Sequence, residues 1–378
     1  MRILIVGSGI IGNFIAAELV RLGNTVLIAE KRTRSFLGAT RSAFGSLTPF
    51  SDPFFRGEAR QFAAHSVDLY RQVWIPLLAP CRPITFHDEG LLQLFATAPE
   101  LDKQASHIND LRTAGFEARI LTTKETLALE PHLSRDFAAA LWLNEPWLDK
   151  DELVEALTTH LAQTGLCSFR FSTEVTGVRQ ICSDTVEATF ASGQTEVFDF
   201  IVLAEGLNSQ VALSPISLKW VRGDCVGVTT NDGLPVLRRH VYMHNGFITP
   251  RRNGSMLLGA TYITETAPSL SREEQHAQIE VNQLLSILRE TIRILPSIRE
   301  CDVIRTWRGW RPTLADQFPA LGPHGAYDRI IIANGFIGLG LTMAPAVAEA
   351  VATYICNHDM SRFPSSFSTS RIFGTGVV

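Results

Sequence analysis

The opening stretch, MRILIVGSGIIGNFIAAELVRLGNTVLIAEKR, constrains the fold of this chain more than any other. Arg2 to Val6 is a short apolar, β-branched run, and Gly7, Gly9 and Gly12 follow at once. Asn13 to Leu22 has helical spacing, and Thr25 to Ala29 is a second strand ending at Glu30. Each piece has a physical role in binding a dinucleotide. Gly7 permits a tight turn, Gly9 lets backbone approach a pyrophosphate, and Gly12 lets the helix pack closely on the strand. The pyrophosphate then sits on the free N–H groups and positive dipole end of the helix. Glu30 is placed to accept hydrogen bonds from ribose hydroxyls. FAD, NAD and NADP all use such a turn, although Glu30 disfavours a 2′-phosphate.

The 378 residues fit two domains of ordinary size, and 46% hydrophobic with 19% charged residues is the balance of a soluble globular chain. A net charge of -4 offers no attraction to a polyanion, so no nucleic-acid partner is expected. Cys81, Cys167, Cys182, Cys225, Cys301 and Cys356 are scattered, with no CxxC and no metal spacing. They read as reduced thiols in a cytoplasmic protein, with no metal site. The apolar start is broken by glycines and lacks a cationic leader region, so it reads as mature structure. No later window is apolar for long enough to cross a membrane, so no integral membrane segment is expected.

Beyond Glu30, Lys31, Arg32 and Arg34 form a basic patch, and GATRSAFGSLTPF from Gly38 to Phe50 is a small-residue run suited to lying against a flat ligand. Gly57 to Trp74 has helical periodicity, with Pro76, Pro80 and Pro83 expected to end it. Ile84 to Phe95 is strand-like, Pro99 to Gly115 helical, Lys124 to Pro131 a short helix capped by Thr122 or Thr123, and Ala138 to Leu143 a strand. Trp147 to Gly165 reads as a helix with Asp149 as N-cap. Strands follow at Ser168–Phe171, Val175–Ile181 and Val186–Phe190, and Phe198 to Ala204 suits a buried parallel strand returning to the nucleotide site. Leu218 to Thr230 and Val241 to Tyr262 carry an antiparallel pattern, with turns at Asn231 to Gly233 and at Asn253 to Gly254. Ser271 with Glu274 suggests a capping box before a helix with Ile279, Leu284, Leu285, Leu288 and Ile292 on one face. The last third repeats the opening theme: a strand at Arg329 to Ala333, then Gly335, Gly338 and Gly340, then a helix.

The two ends together carry a family resemblance. GSGIIG with Glu30, the GATRSAFGSLTP loop, the TEV strand start at Thr173, the LAEGLNS turn, F-I-T-P-R, WRGWRPTLADQFPALGP and NGFIGLGLTMAPA occur in order over almost the whole chain. The sequence resembles the D-amino-acid oxidase superfamily of FAD enzymes, and within it glycine oxidase of the ThiO type. The resemblance implies an α/β fold: a Rossmann-like FAD-binding domain with an inserted substrate domain on a mostly antiparallel sheet. The expected FAD-binding parts are 1–80, 147–215 and 317–378, and the substrate parts are 81–146 and 216–316.

By the same resemblance Gly7, Gly9, Ile10, Ile11 and Gly12 match the pyrophosphate turn, and Glu30 and Lys31 the adenosine-ribose end. Thr40, Arg41, Ser42, Gly45, Ser46 and Leu47 match a loop along the diphosphate and isoalloxazine, Val175 the adenine position, and Ala204, Glu205 and Gly206 a further wall. Gly335, Phe336, Gly338, Leu339, Gly340, Leu341 and Thr342 match a turn presenting N–H groups and a helix dipole to the flavin. The FAD is expected to be non-covalent, because no cysteine or histidine lies between Arg305 and Pro319.

Arg311 falls on the family arginine that grips a substrate carboxylate. Chemistry points the same way: a guanidinium is suited to bidentate carboxylate recognition, and one between Trp310 and Pro312 in an apolar strand end needs a partner. The alternative is pairing with Asp316 or Asp302. Arg251 reads as structural. Where the family carries a tyrosine this chain has Phe247, and the family's histidine is Phe336. The implied pocket, with Trp310 and Tyr242 or Tyr262, is more apolar than a glycine oxidase's and suits a larger or N-substituted amino acid. His244 is a candidate base, with a structural histidine as the competing reading.

The implied reaction is hydride transfer from the C–N carbon of a small carboxylate-bearing amino acid or amine to flavin N5. An imine results, then a 2-oxo acid and an amine, with O2 reduced to H2O2. The alternatives are a D-amino-acid dehydrogenase delivering electrons to a quinone or other acceptor, a tRNA-modifying oxidoreductase, which the acidic charge disfavours, and a flavin binder without turnover. The sequence leaves a homo-oligomer open.

Overall fold

A computed structural model describes residues 1–51, 55–207, 216–230, 236–243, 246–265, 279–325 and 327–373. The 231–233 turn, His244, the Ser271/Glu274 cap and the last residues of the LAEGLNS turn lie outside these. The β-branched runs at the two ends of the chain meet in one six-stranded sheet. Its order is Ala320–His324, Tyr327–Asn334, Phe200–Leu203, Arg2–Val6, Thr25–Ala29, Cys167–Arg170. All neighbours are parallel except the first pair. Arg2–Val6 is central, so the chain turns to one side through Thr25–Ala29 and to the other through Phe200–Leu203. That reversal opens a crevice at the strands' carboxyl ends, where such sheets bind ligands.

The helices Ile10–Arg21 and Gly340–Asn357 pack on this sheet, and with Phe14, Tyr70, Trp74 and Phe200 they form the largest apolar core. Both are apolar nearly all round, as buried helices must be. A second layer, the Val175–Cys182, Thr185–Phe190 and Thr195–Phe198 strands, covers the Ile201 and Leu203 side.

The other large sheet runs Ile263–Glu265, Lys219–Thr229, Ser255–Gly259, Gly246–Pro250, His240–Met243, Leu91–Phe95, Ala139–Leu143, Ala118–Thr122. The long Asp302–Thr313 strand pairs with Lys219–Thr229 as well. Pairing is antiparallel except between His240–Met243 and Leu91–Phe95. The strands of the first sheet come from residues 2–6, 25–29, 167–170, 200–203 and 320–334, and those of the second from 91–95, 118–143, 219–265 and 302–313.

Several local expectations differ from the structure. Pro76 does not end its helix: a π-helical turn at Tyr70–Trp74 widens the bonding just before it, which eases the proline's clash with the preceding turn, and the helix resumes over Ile75–Leu78. Trp147–Leu148 is a short strand against Phe86–His87, and the helix starts at Lys150, with Asp149 Oδ1 accepting from the N–H groups of Asp151 and Glu152 at 2.9 and 3.2 Å. Pro99 to Gly115 forms two helices, Ala98–Asp102 and Ala105–Thr113. In the Val281–Ile294 helix the buried face is Ile287, Thr291 and Ile294, and Leu285 is exposed. Leu285 lies about 100° around the helix from its neighbour Leu284, off the buried stripe.

Candidate functional site

The crevice at the strand ends is a cavity of about 720 Å³. Its first wall is the opening turn. Gly7 has φ 105°, and a Cβ there would lie 2.4 Å from the Ala204 carbonyl oxygen, so the turn admits only glycine. A Cβ on Gly12 would lie 2.1 Å from the Gly7 carbonyl oxygen. Gly12 therefore seats the helix on the turn and does not line the cavity. The helix N-terminus at Gly9 has no side-chain cap, and Gly9, Ile10 and Ile11 face the cavity. The Ile10 N–H donates to Thr40 Oγ1 at 3.0 Å, tying the small-residue loop to the turn. Glu30 accepts from the N–H groups of Ser8 and Arg32, both at 2.9 Å. An ionised carboxylate has about four lone-pair sites, so the oriented Glu30 keeps acceptors for a diol.

The closing turn forms the second wall. Gly335 has φ 80° and is buried behind it; its N–H bonds Asn334 Oδ1 at 2.8 Å, and a Cβ would strike Leu314. The Ile337 and Leu339 N–H groups are used by the carbonyls of Pro312 and Phe336, both at 2.8 Å. Phe336, Gly338, Leu339, Gly340 and Leu341 line the cavity, and the Gly340–Asn357 helix likewise lacks a side-chain cap at its start. Two helix N-termini whose N-cap residues make no side-chain bond thus open on one cavity, suited to a pyrophosphate and to the flavin N1–C2 oxygen edge that gains negative charge on reduction. The residues present fit FAD. Thr342 takes a supporting role, its Oγ1 accepting from the Thr48 N–H at 3.2 Å, while Leu47 is fully buried in the core.

Beyond the dinucleotide end the cavity reaches the long antiparallel strand pair. Arg311 stands opposite Val221, and a Cβ on Gly223 would lie 2.7 Å from its Nη2 and 2.8 Å from its Nη1. The guanidinium therefore lies flat over a gap that only glycine leaves. Among the described residues it forms no ion pair, and its Nη1 donates to the Thr261 carbonyl at 3.4 Å. Asp316, the partner considered from sequence, bonds Arg371 instead. Burial pulls the Arg311 pKa below its usual value, opposed by nearby Cys225, Tyr262, Tyr242 and Asp224. A half-buried cation without an ion-pair partner favours a bound anion. Arg251, by contrast, pairs with Asp149 at 3.0 Å and Asp151 at 2.7 Å.

An aromatic wall lines the same cavity. Phe44 meets Phe247 edge-on at 4.4 Å, and Tyr242 and His240 lie 6.4 and 5.3 Å from the Phe247 ring. Trp310 touches the cavity, but its ring packs on Trp220 and Leu207: it stands on the opposite face of the strand from Arg311. Trp307, on the Arg311 face, supports Phe44 from behind.

The DAO family of FAD dependent oxidoreductases matches residues 2–354. The chain belongs to that family. It is 28% identical to a glycine oxidase of Geobacillus kaustophilus, covering 98% of this chain and 97% of the relative, and 28% identical to one of Bacillus licheniformis over 93% and 92%. The crystal structure of the Geobacillus glycine oxidase superposes with a TM-score of 0.87 at 26% identity, covering 98% and 99% of the two chains. An L-proline dehydrogenase of P. horikoshii shares the fold, with a TM-score of 0.83 at 22% identity over 98% and 97%. The protein is thus an FAD-dependent oxidoreductase with glycine oxidase-like relatives.

The cavity of this FAD enzyme gathers residues far apart in sequence. Besides those named, Lys31, Ser42, Gly45, Ser46, Val175, Ala204, Glu205, Gly206 and Tyr262 line it. Gly12, Arg41, Leu47, Gly335 and Thr342 do not. Arg41 is exposed, with its carbonyl accepting from Lys150 Nζ at 3.3 Å. Sequence reasoning missed Phe44, Gly223, Cys225 and His240. Burial holds Cys225 as a thiol, its pKa pushed up to about 12, and holds His240 neutral, pushed down to about 3. The one advance sign of Gly223 was a glycine inside a strand, which often marks a close approach.

Proposed function

We propose that this enzyme oxidises the C–N bond of a small amino acid that carries one carboxylate: glycine, an N-substituted glycine or a D-amino acid. The observation that carries the reading is Arg311, a cavity cation with no ion-pair partner among the described residues. Its guanidinium would grip the carboxylate in bidentate fashion and fix the amine-bearing carbon, so that binding energy is spent on orientation. The Phe44 and Phe247 rings would exclude water from that carbon and favour an apolar substituent on carbon or nitrogen. Bound FAD supplies the hydride acceptor at its N5 atom. The substrate amine would react in its neutral form, with its lone pair free to assist hydride loss. Water would then hydrolyse the imine to a 2-oxo acid and an amine, and O2 would take the electrons to give H2O2.

The cofactor unit would comprise 1–80, 147–215 and 317–378, and the substrate unit 81–146 and 216–316. A cytoplasmic location is in keeping with six free cysteines. Among the described residues no helix is long and apolar enough to cross a membrane.

The test is anaerobic mixing of the yellow protein with glycine, sarcosine, longer N-alkylglycines and D-amino acids, followed by air. Bleaching by one of these, then rapid recolouring with peroxide, is expected. A flavin that no amino acid bleaches would refute the proposal; bleaching without recolouring in air would refute the oxidase part alone.

A further inference from the structure

His240 lies at a junction that the family reading does not use. It is buried, it lines the cavity, and it starts the His240–Met243 strand of the large sheet. Its Nδ1 lies 2.7 Å from Ser46 Oγ and 2.8 Å from Thr249 Oγ1. Ser46 belongs to the small-residue loop on the cofactor side, and Thr249 to the Gly246–Pro250 strand. Thr249 is fully buried and stands two residues from Phe247, on the same face of that strand. The imidazole therefore joins two separate pieces of chain at one nitrogen, whose single lone pair or N–H the two hydroxyls share, and lies beside the ring that heads the aromatic wall.

A Ser–His contact in a cavity invites comparison with an activated nucleophile, but the geometry opposes it. The orienting hydroxyl of Thr249 shares the Nδ1 side with Ser46, whereas an activating base needs its second nitrogen held by the third group. A ring kept neutral by burial is also a poor proton acceptor. What the arrangement does well is fix a distance.

We propose that Ser46, His240 and Thr249 form a hydrogen-bonded seam that holds the cofactor-side loop at a set spacing from the Phe247 wall, and so limits the size of the substituent a substrate carries. This inference rests on the reading of the cavity as a carboxylate site. Thr249 does not line the cavity; it acts through His240 and Phe247 and is a positioning residue. Ser46 holds the same seam from the opposite side.

The experiment measures binding in the FAD-loaded protein, through the change that a non-oxidisable carboxylate makes in the flavin absorbance. Acetate and benzoate are titrated into wild type, Thr249→Val, Thr249→Ser and Ser46→Ala. Removing the Thr249 hydroxyl while keeping its shape is expected to favour benzoate over acetate by about three- to tenfold, the worth of one neutral hydrogen bond. Ser46→Ala is expected to shift the ratio in the same direction, and Thr249→Ser to restore the wild-type ratio. An unchanged ratio in both Thr249→Val and Ser46→Ala, with FAD still bound, overturns the seam and leaves the carboxylate reading standing. If neither carboxylate perturbs the wild-type flavin and no amino acid reduces it, the parent reading falls and the seam with it.

Discussion

Gly223→Ala isolates the Arg311 geometry from the rest of the fold. A Cβ at position 223 would lie 2.7 Å from Nη2, 2.8 Å from Nη1 and 2.9 Å from Cζ of Arg311, and none of the nearest atoms belongs to backbone. The cheapest relief is for the guanidinium to swing away, since it is the free end of a flexible side chain. Both strands then keep their register, Gly223 opposite Gly309 and Val221 opposite Arg311. Stability should change by less than about 1 kcal/mol, the scale of a substitution that forces neither cavity nor backbone strain. Losing one arm of a bidentate, charge-assisted contact forfeits about 1.5–3 kcal/mol, a weakening of roughly 10- to 150-fold in carboxylate affinity. The assay is anaerobic flavin reduction at increasing amino-acid concentration, with FAD content read from absorbance and unfolding followed in urea. The half-saturating concentration should rise by that factor at full FAD occupancy. An affinity equal to wild type would show that the guanidinium does not hold the substrate, and loss of FAD would show that Gly223 serves the cofactor loop.

Gly45→Ala should fail differently. Gly45 has φ 102°, and a Cβ there would lie 2.0 Å from the backbone carbonyl oxygen of Leu148. Backbone must move on both counts, so we expect a loss of about 3 kcal/mol or more together with loss of bound FAD, measured by urea midpoint and flavin content. His240 gives a pH signature. Burial lowers its pKa from 6.5 to about 3, so between these values the unfolded chain binds a proton that the folded chain refuses. The contribution is complete above pH 6.5 and is lost as pH falls, by roughly 2 kcal/mol between pH 8 and pH 5. Urea midpoints should therefore fall more steeply with acid in wild type than in His240→Gln; parallel curves would mean that burial does not lower the His240 pKa.

The parts of the molecule that sequence makes visible are those whose physics is local. Gly7, Gly9 and Gly12 between two β-branched runs specify their own turn, and the sequence narrows the next cap to Thr122 or Thr123, of which Thr122 is the cap, with Glu125 completing the box. Arg311 was legible because a cation in an apolar strand end demands a partner wherever it points. The features that stayed hidden depend on register and on chain distant in sequence. Nothing near Gly223 announces that Arg311 lies across from it, and Ser46 and His240 meet over 194 residues. Trp310 beside Arg311 looks like a second pocket residue until the strand's alternation sends its ring to Trp220. Pro76 reads as a stop because nothing in the local sequence shows the π turn at Tyr70–Trp74 that precedes it.

The central claim, that Arg311 selects a carboxylate-bearing amine for the flavin to oxidise, is tested most directly with a matched pair. Sarcosine and dimethylamine offer the same N-methylated secondary amine and differ by the carboxylate. Mixed anaerobically with the FAD-loaded protein, sarcosine or a longer N-alkylglycine should bleach the flavin at concentrations where the decarboxylated amine leaves it yellow, and Arg311→Met should abolish the difference while retaining FAD. Equal bleaching by both members of the pair, or a preference that survives Arg311→Met, would contradict the account.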